Sequence, residues 1–192
     1  MNFSSPSKLW LLAALCLLPL MVDNDSLSLD EGNTAMFALA PDFPAFCHLL
    51  KIDQQADCQM PLSMLCSWLS AEIFGTKGDW EAQALNTWGE WELRAVNLLW
   101  GAAALLAFSR IGTRLKIPWL PLLLAIQPFF WFYLNEARPY ALEIGCGAWV
   151  LAALVEFILD RAAGTNWAWI LAVSGFFSFC TTILAPLPVG AT

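Results

Sequence analysis

Long apolar stretches separated by polar segments dominate the chain. Five of them approach or reach the roughly 20 residues that a helix needs to cross a bilayer, and charged residues lie mainly at their ends. The pattern therefore predicts an all-α, polytopic membrane protein. About five transmembrane helices are expected, at residues 4–22, 95–112, 117–134, 140–160 and 167–187.

The first apolar run, Leu9–Val22, follows a single basic residue, Lys8. Its fourteen residues suit the core of a signal peptide as well as a span. Met21-Val22-Asp23 lacks the small-x-small pattern of a cleavage site, so we predict an uncleaved first span.

Basic residues predict the orientation of the chain. Arg110, Arg114 and Lys116 lie together between the second and third stretches, and cytoplasmic loops are enriched in such residues. This predicts a multi-pass protein of the inner (cytoplasmic) membrane with its N-terminus inside. Residues 23–93 and the hexapeptide 135–140 are then both external.

The long external loop, residues 23–93, is predicted to carry two surface helices. The first runs from Asp30 to Ala40, is capped by Ser28 or Asp30, and is closed by Pro41. The second is Pro61–Phe74, because proline suits the first helical position. Its broad apolar face predicts that it lies along the membrane surface.

Composition supports a membrane protein and excludes nucleic acid as a partner. The chain is 59% hydrophobic and 13% charged, about half the charged fraction of a typical soluble domain. Its net charge is −7, and residues 23–93 hold twelve of the sixteen acids with two basic residues, Lys51 and Lys77. No basic surface is available to neutralise nucleic-acid phosphates.

The six cysteines show neither a CxxC pair nor a Cys/His metal spacing, so the sequence predicts no metal site from them. Cys47 and Cys58 share the external loop. A disulfide between them and two free thiols are both open alternatives, since spacing alone does not establish a bridge.

Two short charged segments could carry chemistry. The adjacent carboxylates of Asp30 and Glu31 suit a general base or a metal ligand, although capping of the first loop helix is the commoner reason for such residues. The segment 135–140 sets charges between two apolar stretches, which is costly without solvent or partners.

Arg138 precedes Pro139, which is expected to start the fourth span. A guanidinium beside a helix N-terminus makes a good phosphate site, with Glu136 able to orient the arginine and Tyr140 one turn along. An ordinary loop with a Glu–Arg pair is the alternative. Arg94, at the outer end of the second span, could bind a lipid phosphate or a loop acid, or extend to the interface.

Four segments together resemble a known family, the GT-C superfamily of polytopic glycosyltransferases. They resemble most closely its bacterial members related to protein O-mannosyltransferases and the lipid A aminoarabinose transferase. The segments are Leu29-Asp30-Glu31, Gln59-Met60-Pro61-Leu62, Glu90-Trp91-Glu92-Leu93-Arg94 and the run Glu136–Leu142, which reads Glu-Ala-Arg-Pro-Tyr-Ala-Leu.

The resemblance implies transfer of a sugar from a polyprenyl-phosphate donor to a lipid, glycan or protein acceptor outside the membrane. By this analogy Asp30 is the general base, Glu31 supports it, and Arg138 holds the donor phosphate. Glu136, Tyr140 and Arg94 are further substrate-binding candidates. No cofactor is firmly predicted, and a divalent metal is left open. Because the family has more spans, the chain is expected to correspond to its N-terminal portion.

The alternative function is a non-catalytic membrane protein, or a degenerate or truncated scaffold, that binds a lipid phosphate. A transporter or channel is disfavoured, because the charged residues lie at the span ends and form no line through the bilayer.

Overall fold

The computed structural model describes residues 5–22, 29–52, 60–74, 88–160 and 164–182. Within these ranges the regular secondary structure is entirely helical, which confirms the all-α class. A 3-10 turn, Leu18–Leu20, continues the first helix. The helices are α1 (Ser5–Leu17), α2 (Leu29–Ala38), α3 (Phe43–Ile52), α4 (Pro61–Phe74), α5 (Trp88–Leu115), α6 (Leu120–Ala125), α7 (Pro128–Leu134), α8 (Tyr140–Leu159) and α9 (Thr165–Thr182).

Two helices of the described chain are long and apolar enough to cross a membrane. They are Trp91–Leu115, which forms most of α5, and α8. The predicted span 95–112 lies inside α5, and the predicted span 140–160 agrees with α8 to one residue at its end. These two helices support a membrane association, whereas a five-span topology remains a prediction.

The other predicted spans agree less closely with the helices. Pro6–Leu20 is apolar but shorter than a bilayer-crossing helix. Helix α9 overlaps the predicted span 167–187, of which residues 183–187 lie outside the described part of the chain. The first and last spans therefore also remain predictions.

The third apolar stretch is not a single bent helix over 117–134, and that expectation is wrong. It forms α6 and α7, of 6 and 7 residues, each about 10 Å long. Gln127 between them is extended, with φ −71° and ψ 126°, because a residue followed by proline avoids the helical conformation. Pro128 then starts α7 at a position that needs no N–H donor.

Helices α5 and α8 form the centre of the molecule, with α9 against α8 and α1 against α5 and α6. Small residues let the two long helices approach closely: a Cβ on Gly145 would lie 3.0 Å from the carbonyl oxygen of Trp100. Ala104, Leu105 and Leu134 are fully buried beside this contact. Small residues at the interface are typical of helices packed in membranes.

The helices of the long loop form a second, smaller core. The structure confirms α4 over 61–74 and places α2 at Leu29–Ala38, close to the predicted Asp30–Ala40. Residue 28, one of the two predicted caps, lies outside the described residues. Helix α4 packs against α2 and α5, and its position on a membrane surface remains a prediction.

Helix α3 was not predicted, although its start carries a recognisable signal. Asp42 Oδ1 accepts a hydrogen bond of 2.7 Å from Ala45 N, which caps the helix. Phe46 of α3 packs with Phe37 and Trp68, and Trp68 Nε1 donates to Ala40 O at 3.1 Å. This aromatic cluster holds α2, α3 and α4 together.

Candidate functional site

A buried ion pair joins the long loop to the second predicted span. Glu31 lies in the first turn of α2 and Arg94 in the second turn of α5. Arg94 Nε donates to Glu31 Oε1 at 3.1 Å, and Arg94 Nη2 donates to Glu31 Oε2 at 3.2 Å. Only 3% of Glu31 and 2% of Arg94 are exposed. Arg94 thus contacts a loop acid and does not extend to the surface, and its binding of a lipid phosphate stays a prediction.

The same carboxylate also holds the hexapeptide 135–140. Glu31 Oε1 accepts a hydrogen bond of 2.7 Å from the main-chain N–H of Ala137. Three hydrogen bonds therefore converge on one carboxylate, as a buried charge requires. The structure brings the acidic segment at the start of α2 and the charged hexapeptide into direct contact.

Asn97 fixes the main chain of the hexapeptide from the other side. Its Nδ2 donates to Leu134 O at 3.0 Å and to Glu136 O at 2.6 Å. Sequence reasoning missed this residue, which is 3% exposed. The available signal was a lone amide in the apolar stretch, since a buried polar side chain needs partners.

A cavity of about 440 Å³ opens beside the ion pair. Its volume falls in the range of small-molecule sites. One part of its wall is apolar or aromatic and another part is charged or polar, which suits a ligand with both kinds of group. The lining residues are Leu20, Met21, Glu31, Arg94, Trp131, Phe132, Asn135 and Glu136.

Glu136 is the cavity-lining carboxyl group that can exchange a proton. Its Oε2 is buried and has no hydrogen-bond partner in the described part of the chain. Burial raises the pKa of Glu136, and the negative charge of Glu31 raises it further, while Arg94 lowers it. A raised pKa makes a carboxyl group easier to protonate, so Glu136 is a candidate for proton exchange in this cavity.

Glu136 contacts Arg138 through the main chain, where Arg138 N donates to Glu136 O at 2.7 Å. No side-chain ion pair joins the two in the described structure, so the expected orientation of Arg138 by the Glu136 carboxylate is not observed. Arg138 Nη1 instead donates to the Tyr140 hydroxyl at 3.4 Å. The guanidinium lies 5.8 Å from the centre of the Tyr140 ring, which packs on Tyr133.

The structure therefore brings only some of the predicted site residues together at the cavity. Glu31, Arg94 and Glu136 line the cavity, whereas Arg138 and Tyr140 are not among its lining residues. Pro139 precedes the first residue of α8, as expected. Asp30 lies in α2, but its side chain is outside the described part of the structure, and its role as a base stays a prediction.

Among the described residues, neither a group of metal ligands nor a disulfide contributes to this site. Within the described ranges, no three His, Cys, Asp or Glu side chains are grouped so that they could hold a metal ion. Cys47 is a free thiol, and Cys58 lies outside the described residues.

Comparison of the chain with protein-family models, with curated proteins and with solved structures finds no match. The resemblance to GT-C glycosyltransferases therefore rests on the short motifs. Glu31, Arg94 and Glu136, which come from three of those motifs, line one cavity.

Proposed function

We propose that the chain transfers a sugar from a polyprenyl-phosphate-linked donor to an acceptor on the non-cytoplasmic face of the inner membrane. One observation carries the proposal: Glu31, Arg94 and Glu136, far apart in sequence, line a single cavity that has both apolar and charged walls. Such walls fit a prenyl chain and a polar sugar phosphate. The proposed acceptor is a lipid, glycan or protein.

In the proposed reaction, an acceptor oxygen attacks the anomeric carbon of the sugar, and the bond from that carbon to the phosphate oxygen breaks. Asp30 takes the acceptor proton, and polyprenyl phosphate leaves with the bonding electrons. Arg138 and the first N–H groups of α8 stabilise the charge on the leaving phosphate. Positioning and base assistance supply the remainder of the rate enhancement.

Glu31 and Arg94 have a positioning role in this mechanism. Both oxygens of Glu31 accept hydrogen bonds from Arg94, and Oε1 also accepts one from Ala137 N. A carboxylate engaged in this way is a poor base. It supports Asp30 by fixing the start of α2 against α5 and the hexapeptide. It also holds the side chain of Arg94 in the cavity wall.

The membrane arrangement belongs to the same proposal. Helices α5 and α8 cross the bilayer, with the hexapeptide outside and Arg110, Arg114 and Lys116 in the cytoplasm. We propose that α1 and α9 are further spans and that α6 and α7 cross as an interrupted pair. A broken segment is tolerated at membrane depth where neighbouring helices cover its free main-chain groups.

Replacement of Asp30 by Asn tests the proposal. Proteoliposomes are supplied with radiolabelled polyprenyl-phosphate sugars, one neutral and one amino-substituted, and an envelope extract as acceptor. Wild type is expected to transfer label, and Asp30→Asn to be at least about 100-fold slower, because base assistance contributes on that order. Asp42→Asn, a matched change at the exposed α3 cap, is expected to leave transfer intact.

Normal transfer by Asp30→Asn would show that the assigned base is wrong. Thermal unfolding of both variants, followed by circular dichroism, checks that a loss of transfer is not a loss of fold.

The second candidate function is a non-catalytic scaffold that binds a lipid phosphate. The fully engaged Glu31–Arg94 pair favours it, because such a pair holds three segments together without any chemistry. In that case wild type binds fluorescent polyprenyl phosphate, Arg138→Gln weakens the binding, and no donor is turned over. Measuring binding and turnover in one preparation separates the two functions.

A further inference from the structure

A second charged cluster lies far from the cavity, where the C-terminal ends of α5 and α8 meet. Glu156 of α8 has a side chain that is 4% exposed and lies between two arginines of α5. Arg110 Nε donates to Glu156 Oε1 at 2.7 Å. Arg114 Nε lies 2.9 Å from Glu156 Oε2. Two guanidinium groups share one carboxylate, so the cluster keeps a net positive charge.

The arginines reach the carboxylate through their Nε atoms, which leaves their terminal nitrogens available. In the part of the chain that the structure describes, those terminal nitrogens donate no hydrogen bond. The side chains of Arg110 and Arg114 are 21% and 33% exposed, so a ligand can reach them. Guanidinium groups that present paired N–H donors match the oxygen geometry of a phosphate.

Helix α9 adds an aromatic contact that orients one of these groups. The Arg110 guanidinium lies 5.4 Å from the centre of the Trp167 ring. This cation–π contact holds the guanidinium beside the Trp167 ring, and tryptophan is enriched at the level of the lipid headgroups. The cluster therefore combines donors held in place by Glu156 with a ring suited to the membrane interface.

The charge of the whole chain makes this cluster distinctive. The protein carries a net charge of −7, with most acids in the long loop at the other end of α5. Exposed Lys116, which follows the last residue of α5 and has a φ of 60°, adds a further positive charge two residues after Arg114. These positive charges attract an anion to this end of α5.

We propose that Arg110, Arg114 and Trp167 form a binding site for the phosphate of an anionic phospholipid. The lipid belongs to the leaflet at this end of α5 and α8, and its acyl chains lie along the exposed apolar faces of these helices. Leu106 and Leu159 belong to those faces. The site does not depend on the sugar-transfer function.

Lipid binding by the full chain in nonionic detergent tests the proposal. The probe is phosphatidylglycerol labelled on an acyl chain, and its binding is followed by fluorescence anisotropy. Unlabelled phosphatidylglycerol is expected to displace it, whereas phosphatidylcholine and inorganic phosphate at the same concentration are not.

A triple variant, Arg110→Gln with Arg114→Gln and Glu156→Gln, removes the arginines without leaving Glu156 as an unpaired buried charge. We expect it to bind the probe at least about tenfold more weakly, since charge-assisted hydrogen bonds to phosphate are lost. Lys51→Gln on α3 is the control and should bind like wild type. If the triple variant unfolds, Arg110→Lys with Arg114→Lys takes its place. This double variant keeps the charge and should retain part of the wild-type affinity for the probe.

The proposal is overturned if the folded triple variant binds phosphatidylglycerol as tightly as wild type. Equal displacement by phosphatidylcholine would also overturn it. Full displacement by inorganic phosphate would show that the site takes a free anion and no lipid.

Discussion

The ion pair between Glu31 and Arg94 shows how single residues tie distant parts of this chain together. Taking two charges out of water is costly, and the cost is offset only when hydrogen bonds satisfy both groups. Here the two bonds from Arg94 and the N–H of Ala137 engage both carboxylate oxygens. Glu136 differs, because its Oε2 lies buried and has no such partner among the residues that the structure describes. The two carboxyl groups of one cavity therefore suit different tasks, one positioning and one proton exchange.

The raised pKa of Glu136 predicts a pH-dependent stability. The folded protein holds this proton more tightly than the unfolded chain, so unfolding releases it at pH values between the ordinary pKa of 4.5 and the raised one. Stability contributed by the protonated group is present below 4.5 and is lost as pH rises through this window. Glu136→Gln keeps a neutral side chain, so its melting temperature relative to wild type should increase from pH 4 to pH 7.

This change in relative melting temperature with pH should be small, because Glu136 is only partly buried and solvent screens its charge. Thermal unfolding followed by tryptophan fluorescence measures it across the pH series. Glu72→Gln, measured alongside, reports the effect of removing one exposed negative charge. A relative melting temperature of Glu136→Gln that falls from pH 4 to pH 7 would mean that the ionised carboxylate is stabilised, contrary to this account.

At the scale of elements, α5 organises the molecule. Its 28 residues extend about 42 Å and carry a different chemical group at each end. Arg94 and Asn97 hold the cavity at one end, and Arg110 and Arg114 hold Glu156 at the other. Between them, α5 packs closely on α8 through small residues. The spacing between the two charged regions thus depends on the α5–α8 contact.

Gly145 tests the importance of that contact. A Cβ on Gly145 would lie 3.0 Å from Trp100 O and 3.4 Å from Trp100 Cα, and main-chain atoms cannot move aside independently. Gly145→Ala should therefore lower the free energy of unfolding by about 1–3 kcal/mol, the usual cost of overpacking. Gly147→Ala is the matched control on the same helix, because no described residue beyond its own stretch of helix lies within 4 Å of its Cβ position.

Urea or thermal unfolding in detergent gives the free energy of unfolding of both alanine variants. The control should be neutral or slightly stabilising, since alanine favours a helix more than glycine does. Equal stabilities for the two alanine variants would show that α5 and α8 do not approach as closely as described.

The sequence predicted the elements better than their interruptions. Helices α4 and α8 followed from long apolar runs that begin at or beside a proline, and their ends were found to within one residue. The break at Gln127 depends on how one residue before a proline resolves a steric conflict, which an apolar run does not reveal. Helix α3 was not predicted, because the expected first loop helix ends at Pro41 and the expected second one starts at Pro61, whereas Asp42 caps a helix between them.

The candidate site was predictable in its residues but only partly in its contacts. Glu31, Arg94 and Glu136 were singled out because charges beside apolar stretches need partners, and they do line one cavity. Which partner each takes depends on packing of segments far apart in sequence. The pairing of Glu31 with Arg94 and the two bonds from Asn97 could not be deduced from spacing alone.

The whole molecule is divided by charge along α5. The cavity and the Glu31–Arg94 ion pair lie toward its N-terminal end, and the positive cluster lies toward its C-terminal end. This division matches the predicted orientation, with acids outside and basic residues in the cytoplasm. It also separates two proposed ligands: a polyprenyl-phosphate donor in the cavity, and an anionic phospholipid at the arginines. Each ligand therefore has a distinct expected location on the chain.

Photolabelling tests the central claim, that the cavity holds a polyprenyl phosphate, most directly. Purified protein in proteoliposomes is irradiated with a polyprenyl phosphate that carries a diazirine near its phosphate, and labelled peptides are identified by mass spectrometry. The account predicts label on 131–136 and on Leu20 or Met21, removed by excess unlabelled polyprenyl phosphate but not by phosphatidylglycerol. Label spread over the exposed faces of α8 and α9, unaffected by the competitor, would contradict it.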